Sequence, residues 1–276
     1  MTVSARWLPC RSEDGHAWEA LAVSGDRVDR VLTWIPALGV PARTYEAFAA
    51  ELARRGIAVV VHEWRGFGSS SWRAARDRDW AYRELLLLDI PGTLGAAAAE
   101  FGRVDVIGGH SLGGQLAACS LALAPRRIGA LWLVASGSPY WRAFPRRVGL
   151  WLPAAYRLLA AMASAFGSLP GRRIGFGGNE ARGVIRDWSR TGLTGRYAAP
   201  GVGDIEPRLR EVDVPVRAVL PARDWLAPSS SLDYLLSKTA CRDRHVAILD
   251  TDALGAHADH FAWMRAPGTV VDELAR

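Results

Sequence analysis

Cysteine is scarce in this sequence. The three cysteines, Cys10, Cys119 and Cys241, are too few and too far apart for a disulfide framework or a zinc site. No secretory signal is evident, because residues 1–15 carry several charges and no continuous apolar segment. We therefore expect a protein of the reducing cytoplasm.

Lysine is almost absent: Lys238 stands alone among 34 basic residues, and the others are arginines. Against 28 acidic residues they give a net charge of +6 and a pI near 9.7. A basic pI can indicate a nucleic-acid or anionic-membrane partner. Because the arginines form no basic stripe with interleaved aromatic residues, we attribute the excess to an arginine-rich coding bias and expect no nucleic-acid partner.

One long apolar segment stands out, residues 148–169, in which Arg157 is the only charge among 22 residues. That length permits a membrane span. Gly149, Pro153 and the central Arg157 weaken this interpretation, and basic residues near both ends give no orientation. We expect a buried or cap helix, with contact at a membrane surface and a true span as the alternatives.

The chain has the length and apolar content of one large α/β unit, with 276 residues of which 50% are hydrophobic. Predicted strands alternate with predicted helices, which favours a parallel sheet covered on both faces. The alternation stops over residues 136–205, which are rich in aromatic residues. We predict a core formed by 1–135 and 206–276 and a cap insertion at 136–205.

The central motif is a glycine-flanked serine in the sequence Gly-His-Ser-Leu-Gly-Gly at 109–114. It follows a strand predicted at 104–107 and precedes a predicted helix that ends near Pro125. Strand, Gly-x-Ser-x-Gly and helix in this order are typical of a nucleophile elbow, a strained turn that exposes the serine Oγ. Glycine on either side of Ser111 removes Cβ atoms that would clash where strand and helix approach. The alternative is a glycine-rich turn with Ser111 as an ordinary helix cap.

With these elements the chain resembles the α/β-hydrolase superfamily over nearly its whole length. Besides the elbow, the resemblance rests on Glu-Trp-Arg-Gly-Phe-Gly-Ser at 63–69, Asp-Trp-Leu-Ala-Pro at 224–228 and Asp-His-Phe at 259–261. More narrowly, Pro-Ala-Leu-Gly-Val at 36–40 and Val-Ile-Arg-Asp-Trp at 184–188 are similar to bacterial predicted hydrolases with a serine aminopeptidase-like core. The resemblance implies a mostly parallel central sheet with helices on both faces and a helical cap insertion.

The resemblance also implies that Ser111 is a nucleophile, served by an acid after a late strand and a histidine after the last one. Asp224 follows the strand predicted to end at Leu220, and the loop after the strand predicted at 130–135 offers no carboxylate. Asp224 is therefore the predicted acid. His257 and His260 both follow the last predicted strand, so their positions leave both open, and the Asp-His-Phe context favours His260.

The resemblance places the two oxyanion donors at the backbone N–H groups of Leu112 and Leu38. The family often has His-Gly in the loop that carries Leu38, whereas this chain has Pro-Ala. Because the donor is a backbone N–H, the change of side chains is tolerated. The assignment of this donor to Leu38 holds to within one residue. Glu63, Arg65 and His110 are assigned structural roles.

These residues predict a serine hydrolase that cleaves a carboxylic ester through a Ser-His-Asp triad and an acyl-enzyme, with a thioester or an amide as variants. The aromatic insertion would cover the site and favour a small-molecule substrate with an apolar acyl group. No metal or organic cofactor is implied. The alternatives are an acyltransferase or C–C bond hydrolase on the same triad, and a non-catalytic binding scaffold. The oligomeric state stays open.

Overall fold

The computed structural model describes residues 2–124 and 128–276. Over these residues the strands, numbered in chain order, are β1 (Val3–Arg11), β2 (Ala17–Gly25), β3 (Arg30–Ile35), β4 (Ile57–Val61), β5 (Val106–His110), β6 (Ala130–Val134), β7 (Ser168–Pro170), β8 (Asn179–Ala181), β9 (Ala198–Ala199), β10 (Gly203–Asp204), β11 (Val216–Pro221) and β12 (Arg244–Leu249). The helices are α1 (Glu46–Ala53), α2 (Tyr82–Glu84), α3 (Ile90–Phe101), α4 (Leu112–Leu123), α5 (Arg146–Gly149), α6 (Leu152–Phe166), α7 (Gly171–Ile174), α8 (Arg182–Thr194), α9 (Glu206–Leu209), α10 (Ser229–Leu236), α11 (Thr251–Leu254) and α12 (Gly268–Ala275).

Eight strands form one sheet in the order β1-β2-β4-β3-β5-β6-β11-β12. The strands from β4 to β12 in this order run parallel, and β1 and β2 pair antiparallel. Strands β4 and β5 are buried along their whole length, as expected where helices cover both faces of a sheet. Because parallel strands share one carboxyl edge, the loops after β3, β5, β11 and β12 meet there.

Helices cover both faces of the sheet. On one face α1 and α12 pack over a core that contains Trp34, Phe48 and Trp263. On the other face α3, α4 and α10 bury residues such as Leu116 and Leu232. The prediction of a mostly parallel sheet with helices on both faces is confirmed.

Two local features differ from the sequence prediction. Strand β1 was not predicted, because it pairs only with β2 at the sheet edge and most of its side chains are exposed. The sequence predicts a helix from about Asp79 to Phe101 with an interruption at Pro91-Gly92. That interruption is wrong: the chain stays helical from Tyr82 to Phe101 through a π-helical turn at Leu85–Asp89. Pro91 lies at the start of α3, where its missing N–H is tolerated. The helix end predicted near Pro125 lies outside the described residues.

Residues 136–205 contribute helices and short hairpins and no strand of the eight-stranded sheet, all of them being described residues. Helix α6 packs on α8, and β7 pairs with β8 beside them. The exact division into a core of 1–135 and 206–276 with a cap at 136–205 stays a prediction.

Candidate active site

Ser111 lies in the sharp turn between β5 and α4. Its backbone has φ 55° and ψ −121°, a conformation that is strained for a residue with a Cβ atom. Two hydrogen bonds hold the turn: the Ser111 N–H donates to Val134 O at 3.1 Å, and the Ser136 hydroxyl donates to Ser111 O at 2.7 Å. The turn presents Ser111 to a cavity above the carboxyl edge of the sheet.

The glycines on either side of this serine permit the close approach of strand and helix. A Cβ atom on Gly109 would lie 2.4 Å from the carbonyl carbon of Gly113. A Cβ atom on Gly113 would lie 2.1 Å from the carbonyl oxygen of Ile35. Backbone atoms cannot move away as side chains do, so the predicted need for glycine at both positions is confirmed.

Asp224 and His260 form a buried pair beside this turn. Asp224 follows β11 and His260 follows β12, so the parallel strands bring both loops to the same edge. His260 Nδ1 lies 2.7 Å from Asp224 Oδ2, and the Asp224 side chain is fully buried. The second oxygen, Asp224 Oδ1, accepts the backbone N–H groups of Leu226 and Ala227 at 2.9 and 3.2 Å. The carboxylate is thus fixed on three sides and orients the imidazole ring.

Ser111 and His260 line the same cavity, and His257 does not. His257 is exposed to solvent, so the structure does not bring it to Ser111. Within residues 2–124 and 128–276, Ser111 Oγ has no hydrogen-bond partner, and its bond to His260 is not formed in this conformation. Such catalytic bonds often shorten only when substrate is bound.

The loop after β3 fixes the backbone of Ala37 and leaves the N–H of Leu38 without an acceptor among the described residues. The Ala37 N–H donates to the Tyr45 hydroxyl at 2.9 Å, and the Ala37 carbonyl accepts Trp64 Nε1 at 2.9 Å. Among the described residues, the N–H of Leu38 has no acceptor, and the N–H of Leu112 is the first of α4. Both residues line the cavity, and the amino end of α4 adds a favourable dipole for negative charge.

Tyr45 and His110 form a second polar pair behind the site, which the sequence did not predict. The Tyr45 hydroxyl accepts the Ala37 N–H at 2.9 Å and forms a second hydrogen bond with His110 Nδ1 at 2.8 Å. The His110 ring lies 4.8 Å from the His260 ring, centroid to centroid. Burial, reinforced by His260, holds the pKa of His110 well below the usual value for histidine. His110 is therefore neutral at pH 7 and adds no charge beside His260.

Glu63 and Arg65 lie under the site and hold loops. Arg65 is buried and bonds to the Asp89 carboxylate at 2.6 and 2.8 Å and to Asp14 at 2.6 Å. Glu63 accepts the Ala42 N–H at 3.2 Å, and burial raises the pKa of its carboxyl to about 7. Neither residue lines the cavity, in agreement with the structural roles predicted for them.

The cavity has a volume of about 190 Å³ and is mainly apolar. Residues 136–205 form one wall through Phe144, Trp151, Leu152, Tyr156, Leu159, Phe176 and Trp188. The polar side chains that reach it include those of Ser111, His260 and Gln115. No group of three or more His, Cys, Asp or Glu side chains that could hold a metal ion occurs in the part of the chain that the structure describes.

A sequence model of one protein family, described as serine aminopeptidase, S33, matches residues 27–180. The matched part is more than half of the 276-residue chain. No curated protein matches the chain.

Several solved structures are similar over nearly the whole chain. A hydrolase from Pseudomonas aeruginosa PA01 is 19% identical with a TM-score of 0.60, over 98% of this chain and 99% of that one. A structure from work on carboxylesterases of Nitrososphaera gargenis is 16% identical with a TM-score of 0.65, over 98% and 96%. A monoacylglycerol lipase from Paleococcus ferrophilus is 14% identical with a TM-score of 0.59, over 99% and 98%. The predicted α/β-hydrolase fold is confirmed.

Proposed function

Because the chain belongs to the serine aminopeptidase S33 family and is a serine hydrolase of the α/β-hydrolase type, we propose that it hydrolyses carboxylic esters with Ser111, His260 and Asp224 as a catalytic triad. The observation that carries this proposal is the buried 2.7 Å contact between His260 Nδ1 and Asp224 Oδ2. The Asp224 carboxylate accepts a hydrogen bond from the N–H at Nδ1 of His260, which leaves Nε2 unprotonated and able to act as a base.

The reaction has two stages. Ser111 Oγ forms a bond to the acyl carbon while His260 Nε2 takes its proton, and the C–O bond to the alcohol then breaks as His260 returns the proton to the alcohol oxygen. Water, deprotonated by His260, attacks the acyl-enzyme and releases the carboxylic acid. Asp224 stays ionised throughout and stabilises the imidazolium form of His260.

The negative charge of the two tetrahedral intermediates falls on the former carbonyl oxygen. The N–H groups of Leu112 and Leu38 donate to it. Because these donors are held by the backbone before substrate binds, they need little reorganisation during the reaction. Ala37 takes no part as a donor, since its N–H is committed to Tyr45.

The lining of the cavity supports an apolar acyl group as the substrate moiety held at Ser111. Aromatic and aliphatic side chains from residues 136–205 line it, and Gln115 is one of the few polar groups. Two of the similar structures carry the names carboxylesterase and monoacylglycerol lipase, which agrees with ester chemistry. We propose a small-molecule ester whose acyl part is apolar.

The test is hydrolysis of a series of p-nitrophenyl esters of increasing acyl length by four proteins: wild type, Ser111→Ala, His260→Ala and His257→Ala. We expect the Ser111 and His260 variants to lose on the order of 10³-fold or more in kcat/KM. His257→Ala is the matched control and should stay near wild type, because His257 is exposed and away from the cavity. Activity that survives His260→Ala and disappears in His257→Ala would reverse the assignment of the base.

Product analysis separates the related reactions. Release of the free acid in water supports a hydrolase, whereas preferential transfer of the acyl group to an added alcohol supports an acyltransferase. An absence of turnover on every ester, with the protein folded, supports a binding scaffold.

A further inference from the structure

Helices α5 and α6 carry an apolar face that points away from the protein. The combined segment Arg146–Phe166 is long and apolar enough to cross a membrane, yet only 22% of its most apolar window is buried. Leu150 is 69% exposed, Leu158 61% and Trp151 46%. Ala154, Ala161 and Ala165 continue the same face at helical spacing. A soluble core helix with this composition would bury that face.

The opposite face of the same helices closes the cavity. Leu152, Tyr156 and Leu159 line it, and Ala163 packs into the protein. A membrane span would have to break these packing contacts. The outer face is therefore suited to lying on a surface.

Further exposed aromatic side chains surround the mouth of the cavity. Trp151 lies 6.2 Å from Trp225, ring centroid to ring centroid. Trp225 and Phe261 are both about half exposed, and all three side chains line the cavity. Tryptophan and phenylalanine at such a rim are typical of the boundary between water and lipid. The rim joins the outer face of α6 to the cavity that contains Ser111.

The charged side chains of the segment itself all have one sign, and the exposed Asp233 of α10 lies beside Arg146. Exposed arginines lie before, within and after the apolar stripe, at Arg146, Arg147, Arg157, Arg172 and Arg173. Among the described residues none of these five arginines forms a salt bridge. The sequence contains no Asp or Glu from 106 to 179. An apolar stripe whose own charged side chains are all arginines complements an anionic lipid surface. A second copy of the chain would set arginine against arginine.

We propose that the outer face of residues 146–174 binds the surface of an anionic phospholipid bilayer, with α6 lying in the plane of the interface and the cavity mouth turned toward the lipid. Leu150, Leu158 and Trp151 enter the acyl boundary, and the arginines contact lipid phosphates. Binding does not depend on Ser111. Delivery of a lipid-soluble ester from the bilayer to the cavity rests in addition on the proposed function.

Flotation of the full-length protein with phosphatidylcholine vesicles, with and without phosphatidylglycerol, tests the proposal. We expect binding that requires phosphatidylglycerol and weakens with added salt. Leu150→Asp with Leu158→Asp should reduce vesicle affinity by about tenfold or more, because it places two charges in the apolar stripe. The control is Ile248→Asp, whose side chain is 59% exposed on strand β12, and it should bind like wild type.

A second pair of variants tests whether the position of the arginines matters, or only the net charge of the protein. Arg146→Glu with Arg147→Glu should lower vesicle affinity by about tenfold. Arg208→Glu with Arg210→Glu makes the same change in net charge at exposed residues of another region and should leave binding within about twofold of wild type.

The proposal is overturned if the protein does not bind anionic vesicles, or if the Leu150 and Leu158 variant and the Arg146 and Arg147 variant bind as well as their controls. It is also overturned if the protein is a dimer without vesicles and Leu150→Asp with Leu158→Asp dissociates that dimer.

Neither Leu150 nor Leu158 lines the cavity, so turnover of a short soluble ester should persist in that variant and show that it is folded. Vesicle binding without ester turnover would contradict the proposed function alone.

Discussion

At the scale of single residues, the site depends on hydrogen bonds that fix groups before any bond is made. One carboxylate oxygen of Asp224 accepts hydrogen bonds from two backbone N–H groups, and the other contacts His260. The Tyr45 hydroxyl accepts the N–H of Ala37 and so fixes the loop that carries Leu38. Each of these contacts predicts the result of one substitution.

Asp224→Asn should lower kcat by on the order of 10³ to 10⁴ with little change in fold, because an amide no longer selects the tautomer of His260 that carries its proton on Nδ1. Steady-state kinetics on the best ester measures this. Asp259→Asn is the matched control: Asp259 is exposed and bonds only to the backbone of Phe261 and Ala262. Equal losses in the two variants would contradict the role of Asp224.

Tyr45→Phe should lower kcat by about tenfold and leave KM near wild type, because the loss of the Tyr45 hydroxyl frees the Ala37 N–H and loosens the oxyanion loop without touching the cavity. Leaving the Ala37 N–H buried without an acceptor should also cost about 1–3 kcal/mol of stability. Tyr82→Phe is the control, since the buried Tyr82 hydroxyl has no hydrogen-bond partner among the described residues. An unchanged kcat in Tyr45→Phe would show that the loop does not need this contact.

The sequence predicted Ser111, Asp224 and His260 as candidates but could not decide between His257 and His260. Both follow β12, and only the path of the loop turns one inward and leaves the other exposed. Tyr45 was missed for another reason. The sequence predicts a helix from about Tyr45 to Arg55, in which Tyr45 is an apolar position. Its hydroxyl acquires a role only when the turn at 36–38 folds against it.

At the scale of elements, the contact of α4 with β3 and β5 depends on residues without side chains. Gly113→Ala places a Cβ atom 2.1 Å from Ile35 O, where only movement of the backbone could relieve the clash. We expect a loss of roughly 3 kcal/mol or more in the free energy of unfolding, as for other overpacked backbone contacts.

Gly95→Ala is the matched control within a helix. Gly95 lies inside α3 with nothing within 4 Å of an added Cβ atom. This variant should be more stable than wild type by about 0.5–1 kcal/mol, because alanine has the higher helix propensity. Urea unfolding of both variants checks the pair, and equal effects would contradict the close-approach argument.

Elements that are buried on both sides were predictable, since β4 and β5 are continuous apolar segments of strand length. Strands that form only by pairing with a neighbouring strand could not be predicted. Strand β1 pairs on one side only, and the hairpins β7–β8 and β9–β10 are two or three residues long, too short to carry a periodic pattern.

At the scale of the whole molecule, stability depends on pH through acids buried where segment 136–205 meets the rest of the chain. Glu180 is buried, accepts the Gly178 N–H at 2.7 Å and lies close to the backbone position of Gly39. Burial raises the pKa of Glu180 from 4.5 to about 7. The folded state therefore keeps a proton that the unfolded state loses.

The sign of the pH dependence follows from this shift. The contribution of Glu180 to stability is fully present below pH 4.5 and is lost as pH rises through about 7. Glu180→Gln cannot titrate, so its stability relative to wild type should increase by roughly 3 kcal/mol between pH 4.5 and pH 8. Urea unfolding at several pH values measures the difference, and a constant difference between the two proteins would contradict a raised pKa.

The central claim is that Ser111 forms a covalent acyl-enzyme with His260 as its base. Treatment with a fluorophosphonate followed by peptide mass spectrometry tests it most directly, because the probe reacts only with an activated nucleophile. The account predicts an adduct on Ser111 in the wild type and in His257→Ala, and none in Ser111→Ala or His260→Ala. An adduct on another residue, or full labelling of Ser111 in His260→Ala, would contradict it.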